Sequence, residues 1–99
     1  MTLKRLENKV KNLNLLRGFK TETMEFNKEE GKFVSNPDVY YIGRAYGGYR
    51  LEQIANKGGG CRDITHRATK KELYELIDMM VYGYNLAQRD SLNKTKRSN

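Results

Sequence analysis

Gly47 and Gly48 lie between two runs in which side-chain character alternates residue by residue, Val39 to Ala45 and Tyr49 to Ala55. Period-two alternation on either side of two adjacent glycines is the pattern of a β-hairpin, because both glycines can take the positive φ that the primed two-residue turns require. With Gly47-Gly48 at the centre, Tyr46 is expected to face Tyr49, Arg44 to face Leu51, Ile42 to face Gln53 and Tyr40 to face Ala55. The other face then carries Val39, Tyr41, Gly43, Ala45, Arg50, Glu52 and Ile54. Downstream, Asn56-Lys57-Gly58-Gly59-Gly60 reads as a bend. Cys61, Asp63 and Thr65 alternate with Arg62 and Ile64 as a third strand, which makes the hairpin a meander.

Helical periodicity brackets this sheet. Leu3, Leu6, Val10, Leu13 and Leu16 recur at steps of three and four, a narrow apolar stripe for a helix that begins near Thr2 and closes at Gly18. Such a stripe suits packing on the domain's own sheet, and it also fits a homodimer seam. Thr69 and Glu72 form a capping box ahead of a second helix. The Thr69 hydroxyl is expected to accept the Glu72 N–H while the Glu72 carboxylate reaches back to the Thr69 N–H. Leu73, Leu76, Ile77, Met80, Val81 and Tyr84 make one stripe of that helix, which should run to about Ala87. Between the first helix and the hairpin, Phe19 to Phe26 alternates as an edge strand or arm. Asn27 to Lys32 and Ser35 to Asp38 are turns by composition, separated by a short extended piece at Phe33-Val34. The expected fold is α+β: an N-terminal helix, a three-stranded antiparallel meander with a Gly-Gly hairpin, and a C-terminal helix, the helices packed on one sheet face. Residues 1–87 form a single domain on this reading, and residues 88–99 a basic disordered tail.

Charge narrows the functional classes. The formal net charge of the 99 residues is +7, and its distribution is uneven. Residues 39–71 carry seven basic and two acidic side chains, residues 72–88 three acidic and none basic, and residues 89–99 four basic and one acidic. Positive charge gathered on the hairpin region favours a polyanionic partner, though solubility alone can also select for a basic chain. A chain of this length buries only about two-thirds of its unfolded surface, which leaves little room for a deep catalytic cleft. Cys61 is the one cysteine, so no internal disulfide forms. The first residues lack the apolar core of a signal peptide and no run has the ~18 apolar residues of a membrane span, so a cytoplasmic location without membrane contact is expected.

No catalytic or metal motif stands up. Cys61 and His66 have Asp63 between them, but one cysteine and one histidine on an extended stretch are not made to face each other by proximity in sequence. A zinc site needs more cysteine or histidine than the chain holds. Lys57-Gly58-Gly59-Gly60 follows neither phosphate-loop order, so no nucleotide cofactor is expected. The sharpest constellation is Tyr40, Tyr41, Tyr46 and Tyr49 interleaved with Arg44 and Arg50. Three explanations compete for it: a nucleic-acid surface where rings stack and arginines meet phosphates, a protein-binding surface, and tyrosines packed beneath the helices. Tyr46 and Tyr49 flank the turn and are expected to be the least buried. Arg62, Arg67, Lys70 and Lys71, near the positive end of the second helix, suit one phosphate of a larger polyanion.

Two resemblances bear on the partner. ThrLysLysGlu at 69–72, after a helix and a meander, is similar to the lysine-rich start of the final helix in the double-stranded RNA-binding domain, where that segment meets phosphates. Leu73, Tyr74, Met79, Met80 and Tyr82 stand where that family carries small apolar residues. The run YYIGRAYGGYRLEQIANKGGGCRDIT with ATKKELYELIDMM, within residues 39–86, resembles small accessory proteins of unknown function carried by phages and prophages of Gram-positive bacteria. That resemblance implies a non-enzymatic protein of the host cytoplasm that binds nucleic acid or a host enzyme. The leading expectation is therefore a binder of nucleic acid or nucleoprotein using Arg44, Tyr46, Tyr49, Arg50, Arg62, Arg67, Lys70 and Lys71, with no cofactor. The alternative is an inhibitor or adaptor, of anti-CRISPR or anti-restriction kind, docked on a host protein such as a defence nuclease.

Overall fold

The computed structural model describes residues 1–97 and has the α+β architecture expected, with its strands divided between two small antiparallel sheets. Helix α1 spans Leu3–Leu16. Thr2, in extended conformation, caps it by accepting the Arg5 N–H at 3.2 Å. At the other end Gly18 turns left-handed at φ 77°, Phe19 N–H reaches Asn14 C=O at 2.8 Å, and Gly18 N–H reaches Leu15 C=O at 3.1 Å. This pair of bonds is a Schellman closure at the expected glycine. Leu6, Val10 and Leu13 are buried against the rest of the domain, so the stripe that could have served a dimer is occupied internally.

Phe19 explains why the expected strand over 19–26 is shorter. Its ring packs beside Tyr40 at 5.9 Å, finishing the helix closure with an apolar contact instead of starting a strand. Pairing begins only at β1 (Met24–Asn27), which joins β2 (Lys32–Ser35) in a separate hairpin. Asn27 Oδ1 holds the turn by accepting the N–H groups of Glu29 and Glu30 at 2.9 and 3.1 Å.

The meander consists of β3 (Tyr40–Ala45), β4 (Gly48–Ile54) and β5 (Cys61–Asp63) in that order. Its turn differs from expectation by one residue. Tyr46 (φ 41°) and Gly47 (φ 78°) are the central pair, and Ala45 faces Gly48. Gly48 is already strand, paired with Ala45, and the Arg67 side chain crowds it: a Cβ there would sit 2.2 Å from Arg67 Cγ. Each cross-strand partner moves by two residues, giving Arg44↔Tyr49, Ile42↔Leu51 and Tyr40↔Gln53. A shift of two preserves the face on which every side chain lies.

On one face, Tyr40 and Leu51 meet Leu6, Val10 and Leu13 of α1 and Leu73 and Ile77 of α2 (Lys70–Arg97). The strand after Asp63 bulges. Ile64 and Thr65 N–H both donate to Leu51 C=O at 2.8 and 3.3 Å, and Leu51 N–H donates to the Thr65 hydroxyl oxygen at 3.0 Å. Pairing resumes between Tyr49 and Ala68, through bonds of 2.9 and 2.7 Å. This bulge sets the start of α2 beside the hairpin tip.

At that start Thr69 Oγ1 accepts Glu72 N–H at 3.1 Å as expected, but the Glu72 carboxylate accepts the Thr69 hydroxyl proton at 2.9 Å rather than its backbone N–H. Thr69→Ala removes both bonds and should cost about 1 kcal/mol, read as a lower midpoint in urea denaturation followed by circular dichroism. Leu73 and Ile77 face the core, with Met80, Val81 and Tyr84 partly buried, whereas Leu76 is turned outward. The helix continues through the segment read from composition as a tail, as far as Arg97. The last two positions of that tail, 98 and 99, lie outside the described residues. No helix among the described residues is long and apolar enough to cross a membrane.

Candidate functional site

The β3–β4 hairpin and the start of α2 carry six of the eight candidate residues. Tyr46 projects from the tip with 96% of its surface exposed. Behind it Arg44 pairs across the strands with Tyr49, and Lys70 Nζ stands 5.8 Å from the centre of the Tyr49 ring. On the other face of the turn Arg67 covers Gly48 and donates from Nη1 to the Tyr46 carbonyl at 3.3 Å. A shallow depression of about 280 Å³ lies between Arg44, Tyr46 and Tyr49. Lys71, also exposed, follows Lys70 into the helix. Among the described residues none of Arg44, Arg67, Lys70 and Lys71 is paired with a carboxylate. The tip is therefore a projecting aromatic ring with uncompensated positive charge on both sides.

Two expected members are elsewhere. Arg62 faces Gln53 on the β5 edge and donates to its Oε1 at 3.0 Å. Gln53 is five residues along β4 from Gly48, about 17 Å at the rise of a strand. Arg50 lies on the face away from the helices, with Nη2 3.5 Å from Glu52 Oε1 and Nε 3.4 Å from Asp63 Oδ1. Its charge is taken up inside the domain, so although Arg50 lines one depression with Arg67 its guanidinium is already engaged by carboxylates.

The surroundings of Arg50 form a cluster that reading the residues one at a time missed. Glu52, only 7% exposed, lays its carboxylate over Gly43, where a Cβ would come within 1.6 Å of Oε2. The Cys61 thiol is 4.0 Å from Glu52 Oε1 and hydrogen-bonded to Tyr41. The signal was in the pattern, since Tyr41, Gly43, Arg50 and Glu52 share one face of the hairpin at period two. Burial, the Cys61 contact and the Glu52 charge, in that order, push the Tyr41 phenol above its ordinary range, with Arg50 opposing. A phenol that stays protonated in the fold while the unfolded chain ionises near pH ~10 loses its stabilising share as pH rises past that point. Between about pH 9 and about pH 11 the wild-type chain should lose more stability than Tyr41→Phe, as read from urea midpoints.

Nothing in this cluster makes a nucleophile and base of Cys61 and His66. The thiol's polar neighbours are Tyr41 and Glu52, while His66 lines a different depression with Arg50, Asp63 and Arg67. Among the described residues no group of three histidine, cysteine, aspartate or glutamate side chains is placed to hold a metal ion. No family model, curated protein or solved structure matches the chain.

Proposed function

We propose that the protein is a non-enzymatic binder of single-stranded nucleic acid, alone or within a nucleoprotein, and that the β3–β4 tip is the contact surface. The observation that carries this reading is Tyr46, held out by a left-handed turn and flanked by Arg44 and Arg67, with Lys70 at the Tyr49 ring and Lys71 next to it on α2, none of these four paired with a carboxylate among the described residues. Base–aromatic stacking contributes about 1 to 3 kcal/mol per base, and cations at the ring's sides suit the phosphates on either side of a stacked base. The resemblance of residues 39–86 to phage and prophage accessory proteins favours binding over catalysis without choosing the target, and the role would be exercised in the host cytoplasm. Titration of a fluorescent single-stranded DNA or RNA by anisotropy tests it. Affinity should fall steeply with salt, and Tyr46→Ala should weaken binding about tenfold, roughly 1.4 kcal/mol. Binding that is absent, or indifferent to salt, refutes the proposal.

A specific observation favours the alternative, an inhibitor or adaptor on a host protein. Phe26 and Phe33 form an exposed edge-to-face pair at 5.5 Å on the β1–β2 hairpin, beside exposed Met24. Aromatic and methionine side chains are enriched at protein interfaces. A complex that survives high salt and is lost on Phe33→Ala would decide for that reading.

A further inference from the structure

We propose that a strand bound at the tip continues along α2 onto the side chain of Arg5 in α1, so that the site spans about four nucleotides instead of one stacked base. The inference rests on the reading of the tip as a nucleic-acid surface and adds the path of the strand beyond it. Lys70 and Tyr74 are four residues apart and lie in one row of α2, separated by about 6 Å along the axis. Lys70 belongs to the tip through the Tyr49 ring. Tyr74 carries the row to α1: Arg5 Cζ is 5.5 Å and Lys9 Nζ 5.1 Å from the centre of its ring.

The two cations over that ring differ in what they can still bind. Lys9 is paired with Asp78, the residue that follows Tyr74 in the same row. Arg5 is exposed, and among the described residues no carboxylate pairs with it. A guanidinium held over an aromatic ring is already ordered, so it meets a phosphate or stacks under a base at little further entropic cost. Tyr74 is itself packed against the core, which fixes the ring.

Neighbouring acidic groups leave the row clear. Glu7, the one acidic residue of α1, is two residues from both Arg5 and Lys9, and it lines a depression with Lys11, Asn14 and Tyr40 on the other flank of that helix. Glu72 and Glu75 are two and five residues past Lys70, which turns both well round α2 from the row, and the Glu72 carboxylate is taken by the Thr69 hydroxyl. Past Tyr74 a phosphate meets the Lys9–Asp78 pair instead of a free cation. The track therefore runs from Tyr46 to Tyr49 with Lys70, then to Tyr74 with Arg5, and stops at Asp78.

Isotope-edited NMR of the full chain with an oligodeoxythymidylate of about six nucleotides tests the proposal. The Gly47 amide at the tip and the Arg5 side-chain N–H should shift together through one titration. By anisotropy, lengthening the oligonucleotide from about three to about six nucleotides should raise wild-type affinity roughly tenfold, and that of Arg5→Ala no more than about threefold. Arg5→Ala should also lower the salt slope on the longer strand by about 0.7, one phosphate contact. Lys4→Ala, the same charge change at the adjacent position of α1, should keep affinity within about twofold of wild type and leave the slope as it is. Shifts confined to the tip, a length gain that survives in Arg5→Ala, or equal losses from Arg5→Ala and Lys4→Ala overturn the proposal and leave the tip reading standing. No shift at either place refutes the tip reading, and this inference with it.

Discussion

Asn14→Leu should lower stability by about 3 kcal/mol, a large share of the roughly 5 to 15 kcal/mol that holds a domain together. Asn14 is 1% exposed on the inner face of α1, and its amide meets the backbone of one residue of β3 twice. Nδ2 donates to the Tyr40 carbonyl at 3.0 Å, and Oδ1 accepts the Tyr40 N–H at 2.8 Å. Leucine has similar bulk and no hydrogen-bonding atoms, so the substitution leaves a donor and an acceptor without partners where water does not reach. Each buried unsatisfied group costs about 1 to 3 kcal/mol, and the apolar gain of leucine offsets part of that. Asn14→Asp keeps an acceptor for the N–H but removes the donor and buries a charge, so it should fare no better. Urea denaturation measures the loss, and hydrogen exchange at the Tyr40 amide locates it. Unchanged protection of that amide would show that the clamp is not what holds it.

The second large effect separates the tip from the rest of the basic surface. Arg44→Ala, Lys70→Ala and Lys71→Ala together should weaken single-stranded nucleic-acid binding about a hundredfold at low salt. They should also flatten the dependence of log affinity on log salt by about 2, from the ~0.7 per phosphate contact of single strands. Arg50→Ala carries the same formal charge change as one of those three and should leave affinity within about twofold of wild type. Its guanidinium is engaged by Glu52 and Asp63 and is not presented to a phosphate, so its removal takes away no phosphate contact. Equal losses from Arg50→Ala and from single substitutions at the tip would mean that net charge, not the tip, governs binding. Circular dichroism of each variant excludes unfolding as the cause.

Elements with strong local signals were legible from sequence. The Thr2 and Gly18 ends of α1, the Thr69 cap, and the assignment of hairpin residues to faces follow from patterns spanning a few positions. What sequence reading missed depends on contacts between distant residues. Gly48 looks as suitable for a turn as Gly47, and its need to lack a Cβ comes from the Arg67 side chain, nineteen residues on, which no local pattern reveals. Phe19 fits the alternation of a strand, yet Tyr40 draws it into the core. Among the candidate contact residues, composition made the basic positions equivalent. The fold separates Arg50 and Arg62 from Arg44, Arg67, Lys70 and Lys71 by pairing the first with carboxylates and setting the second at the far end of β4. Asn14 carries no sequence signal, because a polar residue beside an apolar stripe reads as solvent-facing until its partner strand is known.

The same asparagine has a consequence for how the protein fails. β3 is the outer strand of its sheet, and the backbone groups of Tyr40 that face outward are those Asn14 occupies. An uncovered outer strand is a template on which other chains add strands of their own. Helix α1 is thus a guard rail as well as a layer of the core. When α1 detaches, the released species has lost packing and exposed a templating edge in one event, so partial opening at the N-terminus leads toward aggregation as well as toward unfolding.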